Sequence, residues 1–304
     1  MFWKKRRIGL ALGGGGARGL AHIGVLKVLE REGIPIHLIV GTSIGALVGG
    51  AYASGIPPEA LEKKVMAYLE SAEFRSSTMR AFGEARVPGE SGLAQKIQIH
   101  LRNCFYFIQA MLKPGILSNE DFQATIDYFI PDIPIEETRI PFRAVATDLV
   151  SGEEIIFSRG PLRQAVMASC AVPGAFEPLK EGERLLSDGG IVCLVPTTVA
   201  RQEGADRVIA VAVDRCWRPE ALRTVVDVYH RVSEIMGEKL KQHELSKADV
   251  VILPEVGDSH WSNFSQASHL IDEGERATME RLEDIRRVMP GFKNWLKFRK
   301  RPQP

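Results

Sequence analysis

Short, unbroken apolar runs along the chain predict buried strands at 8–12, 38–40, 142–147, 155–157, 185–186, 208–213 and 250–253. Between most of them the apolar positions change to helical spacing. Ile23, Leu26, Val28 and Leu29 predict one helix, stopped at Gly33. Ala46, Leu47, Val48, Ala51 and Tyr52 predict a second, stopped by Gly55 with Pro57 and Pro58 behind it. Gly49 and Gly50 cost stability within that second helix, and close packing on a sheet would explain them. Late in the chain, Leu222, Val225, Val226, Tyr229, Val232 and Met236 predict one helix, and Leu270, Ala277, Leu282 and Ile285 another. Both are expected to complete the layer over the sheet. Strands alternating with helices predict an α/β chain in three layers, α/β/α, with a mostly parallel central sheet and helices on both faces. In such sheets ligands sit beyond the carboxyl ends of the strands.

One stretch, 71–118, breaks the alternation. Residues 73–91 carry turn residues and weak periodicity. Leu93, Ile97, Leu101, Phe105, Ile108 and Leu112 then form a helical stripe, with Ile99, Tyr106 and Phe107 on other faces. Such a helix is either a plain core element or a lid or wall of an acyl-chain groove.

At 304 residues, with 45% hydrophobic and 25% charged residues, the chain reads as one globular domain, 1–304. A net charge of +1 argues against a globally basic nucleic-acid binder. No apolar stretch approaches the length that spans a bilayer. The basic start, Phe2-Trp3-Lys4-Lys5-Arg6-Arg7, leads into glycines rather than an apolar run, so a signal peptide is not expected. Cys104, Cys170, Cys193 and Cys216 form no C-x-x-C pair, which argues against a metal site and suits reduced thiols in a cytoplasmic protein. The tail at 291–304 interleaves aromatics with cations, as in Trp295-Leu296-Lys297-Phe298-Arg299, and repeats the composition of the N-terminus. Either both ends are solvated, or they make peripheral contact with anionic lipid.

Two motifs sit at predicted strand ends. The strand at 8–12 runs into Gly13-Gly14-Gly15-Gly16-Ala17-Arg18-Gly19, which opens a helix. This satisfies G-x-G-x-x-G, the pattern of a dinucleotide loop. A dinucleotide site wants an acid at the end of the second strand. Here that strand ends in Gly41-Thr42-Ser43-Ile44-Gly45, a G-x-S-x-G. Alone, G-x-S-x-G also describes a helix N-cap. Between a strand and a helix it reads as a nucleophile elbow, with Ser43 pushed out and Gly41 and Gly45 removing collisions. The bare amides of the glycine loop would then serve as an oxyanion hole, with Arg18 adding charge or holding the loop in shape. No NAD, flavin or other cofactor is expected.

A serine hydroxyl needs a base. None of the seven histidines stands in a setting that announces a triad, and His22 reads as a structural imidazole bonded to backbone. Ser187-Asp188-Gly189-Gly190 follows a short strand. It is either an ordinary Asp-Gly turn or a carboxylate presented at a sheet edge. Beside the other two motifs the second reading is favoured. Burial would raise the carboxyl pKa toward the serine's need.

The three motifs in this order resemble the patatin-like phospholipase family: Gly14-Gly15-Gly16-Ala17-Arg18-Gly19, Gly41-Thr42-Ser43-Ile44-Gly45, and Asp188-Gly189-Gly190. Ala146-Thr147-Asp148-Leu149 with Ser151-Gly152, and the segment 168–176, look like the same family. The resemblance covers about 8–200 as a catalytic core, with 201–290 completing the fold. It implies the patatin-like fold and a Ser–Asp dyad without a catalytic histidine. Ser43 would be the nucleophile, Asp188 the general base, and the amides of Gly14, Gly15 and Gly16 the oxyanion hole. The implied substrate is a lipid or other acyl ester, cleaved through an acyl-enzyme. One departure stands out: Cys193-Leu194 occupies the place where such members usually carry Asn-Pro. Three other readings stay open: an acyltransferase with the same machinery, a regulatory binding protein that keeps the fold, and, most distant, the dinucleotide binder.

Overall fold

The computed structural model describes residues 6–78, 80, 115–214, 222–257 and 261–289. The tail at 291–304, the start at 1–5 and most of the 71–118 stretch lie outside the described residues. So do the lid-or-groove reading and the terminal membrane contacts.

The described residues form an eight-stranded sheet. Its parallel part consists of β1 (Ile8–Leu12), β2 (Leu38–Thr42), β3 (Phe142–Asp148), β7 (Arg207–Val211) and β8 (Val250–Ile252). They lie in the order β3-β2-β1-β7-β8. β4 (Glu154–Phe157), β5 (Leu179–Glu181) and β6 (Arg184–Asp188) form an antiparallel extension beyond β3. The sheet is mostly parallel, as expected. β5 was not anticipated: Leu-Lys-Glu at a sheet edge has no apolar run to betray it.

Successive side chains of a strand point to opposite faces, and the core divides accordingly. Ile8, Leu10 and Leu12 of β1 enter a large cluster on one face, while Ala11 enters a smaller cluster on the other. The large cluster is covered by α1 (Ala21–Arg31), α2 (Ile44–Ala53), α3 (Pro58–Glu70), α5 (Asn119–Phe129), α6 (Leu162–Ser169), α9 (Ala267–Glu280) and α10 (Leu282–Val288). A short α4 (Ala72–Ser76) adds Phe74 beside it. The second face is thinner, with α7 (Thr197–Gln202) and the end of α8 (Val225–Leu245). The two helix glycines behave as expected. A Cβ on Gly49 would come within 2.9 Å of Ile39, and one on Gly50 within 3.3 Å of Val166.

The apolar stripe of α8 does not complete the layer over the sheet. Val225, Tyr229, Val232 and Met236 are exposed. The side turned to the body is ionic instead: Lys241 donates to Asp214 at 2.7 Å, and Thr198 donates to Glu244 at 2.6 Å. Periodicity finds a stripe, but ion pairs decide here which way the helix faces. The other late stripe is buried as expected at Leu270, Ala277, Leu282 and Ile285, but it is divided between two helices, α9 and α10, rather than carried by one.

Candidate active site

β1 and β2 are parallel neighbours, so the glycine loop and the serine turn emerge at the same edge of the sheet. Ser43 has φ 55° and ψ −127°, the one positive φ outside glycine among the described residues. Such backbone strain persists only where the surroundings over-determine it, and here they do. A Cβ on Gly41 would meet the Gly45 carbonyl oxygen, and one on Gly45 would meet the Leu12 carbonyl oxygen. The Ser43 amide donates to Ser169 Oγ at 2.9 Å, and that hydroxyl donates to the Val145 carbonyl at 2.6 Å. Thr42 Oγ1 donates to the Cys193 carbonyl at 2.9 Å.

Asp188 ends β6, whose antiparallel pairing with β3 brings it beside Ala146. The carboxylate accepts a hydrogen bond from the Gly190 amide at 2.7 Å, and the Ser43 hydroxyl lies beside it. Burial pushes its pKa up to about 6, against the pull of those two neighbours. Gly189 allows close passage, since a Cβ there would meet the Val145 carbonyl oxygen. Thr147 Oγ1 donates to the Asp188 carbonyl at 3.0 Å. The neighbouring Asp148 collects the amides of Leu185 and Val150 and the hydroxyl of Ser151. Those donors, that of Leu185 first, hold its pKa low. Asp148 thus ties the β3–β4 turn to β6.

The glycine loop curls over the elbow. The Gly14 amide donates to the Leu194 carbonyl at 2.9 Å, and the Ala17 amide to the Trp261 carbonyl at 2.6 Å. The amides of Gly15 and Gly16 have no partner among the described residues. Gly16 has φ 60°, and a Cβ there would strike the Trp261 carbonyl. Gly19 lies against Ile44, the residue after the elbow serine. Arg18 Nε donates to the Gly15 carbonyl at 3.0 Å and so holds the loop in shape. His22 is fully buried with Nε2 2.8 Å from the Gly13 carbonyl, and burial lowers its pKa to about 4. It is therefore a neutral, structural imidazole, as its sequence setting indicates.

Two spaces meet at Ser43. One is an apolar cavity of about 110 Å³ behind the elbow, walled by residues such as Leu47, Val65, Ile126 and Phe176. The other is a wider groove of about 590 Å³ in front, which also holds Gly15, Arg18, Asp188, Met236 and Leu240. Among the described residues no group of three His, Cys, Asp or Glu side chains could hold a metal.

Sequence reasoning gathered Ser43, Asp188 and the glycines, and the fold brings them together. It missed the support. Ser169 was noticed only within a resembling segment, Trp261 not at all, and Leu194 only as a departure. Leu194 and Trp261 act through backbone carbonyls, and Cys193 does the same toward Thr42, so side-chain identity carries no signal of that role.

Residues 10–201 match the family described as patatin-like phospholipase. An uncharacterised NTE family protein of Mycobacterium tuberculosis is 36% identical over 208 residues, 68% of this chain and 49% of that protein. Neuropathy target esterase of Drosophila melanogaster is 34% identical over 209 residues, 68% of this chain and 13% of that protein. The chain thus spans about half the length, or less, of these curated relatives. Among solved structures, VipD of Legionella pneumophila aligns over 92% of this chain and 67% of its own, with TM-score 0.47 and 16% identity.

Proposed function

The chain belongs to the patatin-like phospholipase family, and from that premise we propose that it is a serine lipid acyl hydrolase of phospholipase A, lysophospholipase or carboxylesterase type. The observation that carries this is Ser43: strained, lining one groove with a buried carboxylate, and set where an apolar cavity meets that open groove.

Asp188 takes the Ser43 proton as the oxygen attacks the ester carbonyl carbon. A pKa of about 6 leaves most of the carboxyl ionised at neutral pH and makes it a better proton acceptor than an ordinary aspartate. The developing oxyanion is met by the Gly15 and Gly16 amides, at the start of the 3-10 turn Gly16–Leu20. The Gly14 amide, already bonded to Leu194, shapes the loop rather than the hole. Asp188 returns the proton to the leaving alcohol. Water, deprotonated by Asp188 in turn, then releases the fatty acid from Ser43. The acyl chain occupies the cavity behind the elbow, where each buried methylene contributes about 0.8 kcal/mol. The alcohol side of the ester leaves through the groove. The esterase name of one relative agrees with this chemistry.

A hydrolysis screen over phospholipids, lysophospholipids and short esters tests the proposal, with Ser43→Ala as the blank. Fatty-acid release by the parent and none by the blank is expected. Equal release by both, or release from none of the three classes, would overturn it.

A further inference from the structure

The helix α8 is built inside out. Along it, Val225, Tyr229, Val232, Met236 and Leu240 are 71%, 73%, 48%, 61% and 44% exposed. Their spacing places them on one side of the helix. Its acids point elsewhere and are engaged: Asp227 caps the helix N-terminus, Glu234 pairs with Arg231, Glu238 with Lys241, and Glu244 with Lys247. The exposed stripe therefore carries no carboxylate, while Lys239 is exposed beside it. Soluble helices turn such a stripe inward, and an apolar patch left in water marks a surface with an occupant.

Which occupant fits follows from where the stripe leads. Met236 and Leu240 belong both to the stripe and to the wall of the groove that reaches Ser43 and Asp188. Ile191, also exposed, sits on the same groove. A protein partner seated on the stripe would cover the mouth of the site. A lipid surface would instead place its acyl chains at that mouth, with Lys239 at headgroup level. Helices that lie in the interface combine such an apolar face with basic flanks.

We infer that α8 docks the protein on a lipid surface, so that the groove opens onto the bilayer from which the substrate is drawn. The inference rests on the acyl-hydrolase reading for its purpose but not for its test. Binding is measured with the acyl-inert Ser43→Ala protein and vesicles of phosphatidylcholine with phosphatidylglycerol, by co-sedimentation. The comparison adds V225S, Y229S and V232S together; these exposed positions lie outside the groove. The partition coefficient is expected to fall about tenfold or more, in proportion to the apolar area lost from the interface. The same triple change in the active chain is expected to leave hydrolysis of a short soluble ester within about twofold of the parent. Vesicle binding unchanged by the triple substitution would overturn the inference, as would no binding by the Ser43→Ala protein. A dimer in sedimentation that the triple variant disperses, without vesicle binding, would assign the stripe to a second copy and also overturn it. Absence of ester hydrolysis alongside intact, stripe-dependent binding would strike the acyl-hydrolase reading alone.

Discussion

The serine elbow and the helix α8 both depart from what a stable fold prefers, and they do so in opposite ways. At the elbow a polar group is held in strained backbone inside the core. Glycines on either side, Ser169 and the Thr42–Cys193 contact leave Ser43 one conformation. Along α8 no backbone is strained, yet apolar side chains face water and charges face the body. Strain of the first kind is sustained only by dense packing around it. Exposure of the second kind is sustained only where the surface has something to meet. The first region is therefore expected to answer to substitution through rate, the second through binding.

Replacing the nucleophile breaks the contrast most strongly. Ser43→Ala is expected to lose about 10⁴-fold or more in ester hydrolysis, as when a nucleophile is removed from comparable machinery. Retained turnover, measured on purified protein free of background esterase, would move the chemistry elsewhere.

Asp188→Asn comes next, with a loss of about 10²–10⁴-fold in kcat/KM. In the parent, kcat/KM is expected to fall below about pH 6 as the carboxyl takes its proton. That limb should vanish in the Asn variant, which a pH–rate profile reads. Stability moves the other way. The folded pKa is raised above the ordinary 3.8, so the group's contribution is fully present below 3.8 and is lost as pH rises through about 6. Asp188→Asn should therefore gain stability relative to the parent above pH 6, as thermal denaturation at two pH values would show.

Removing support gives a smaller effect. Ser169→Ala leaves the Ser43 amide unsatisfied in the core, at a cost of about 1–3 kcal/mol. Activity should drop with it, since that amide fixes the elbow. Unchanged denaturation would mean that water or a shifted loop replaces the hydroxyl.

The smallest expected effects are on stability, and one of them sharpens the strain itself. Ser43→Gly relieves the positive φ and should stabilise the fold by about 1 kcal/mol while abolishing activity. Val225→Ser, by contrast, should leave stability within about 0.5 kcal/mol, because that side chain has little packing to lose.

Much of this could be read in the chain. The parallel strands declare themselves through apolar runs, and β1 falls at Ile8–Leu12 as expected. The candidate site was legible because the proposed chemistry needs particular residue types: glycines where backbone passes backbone, a serine at a strand end, an aspartate before two glycines. What stayed hidden had no such need. β5 is an edge of three residues with two charges. The carbonyls of Leu194 and Trp261 would serve on any residue. The facing of α8 depends on Asp214 and Thr198, which sit far from it in sequence. The hydrogen bond from the Gly14 amide to the Leu194 carbonyl was equally hidden, since it joins backbone to backbone across the fold.

The most direct test of the account is to trap the covalent intermediate. The protein is mixed with a slowly released acyl ester, quenched in acid, and mapped by peptide mass spectrometry. The predicted result is the acyl mass on the peptide carrying Ser43, and none in the Ser43→Ala protein. An adduct on any other residue, or rapid hydrolysis in which Ser43 never carries the acyl group, would contradict it.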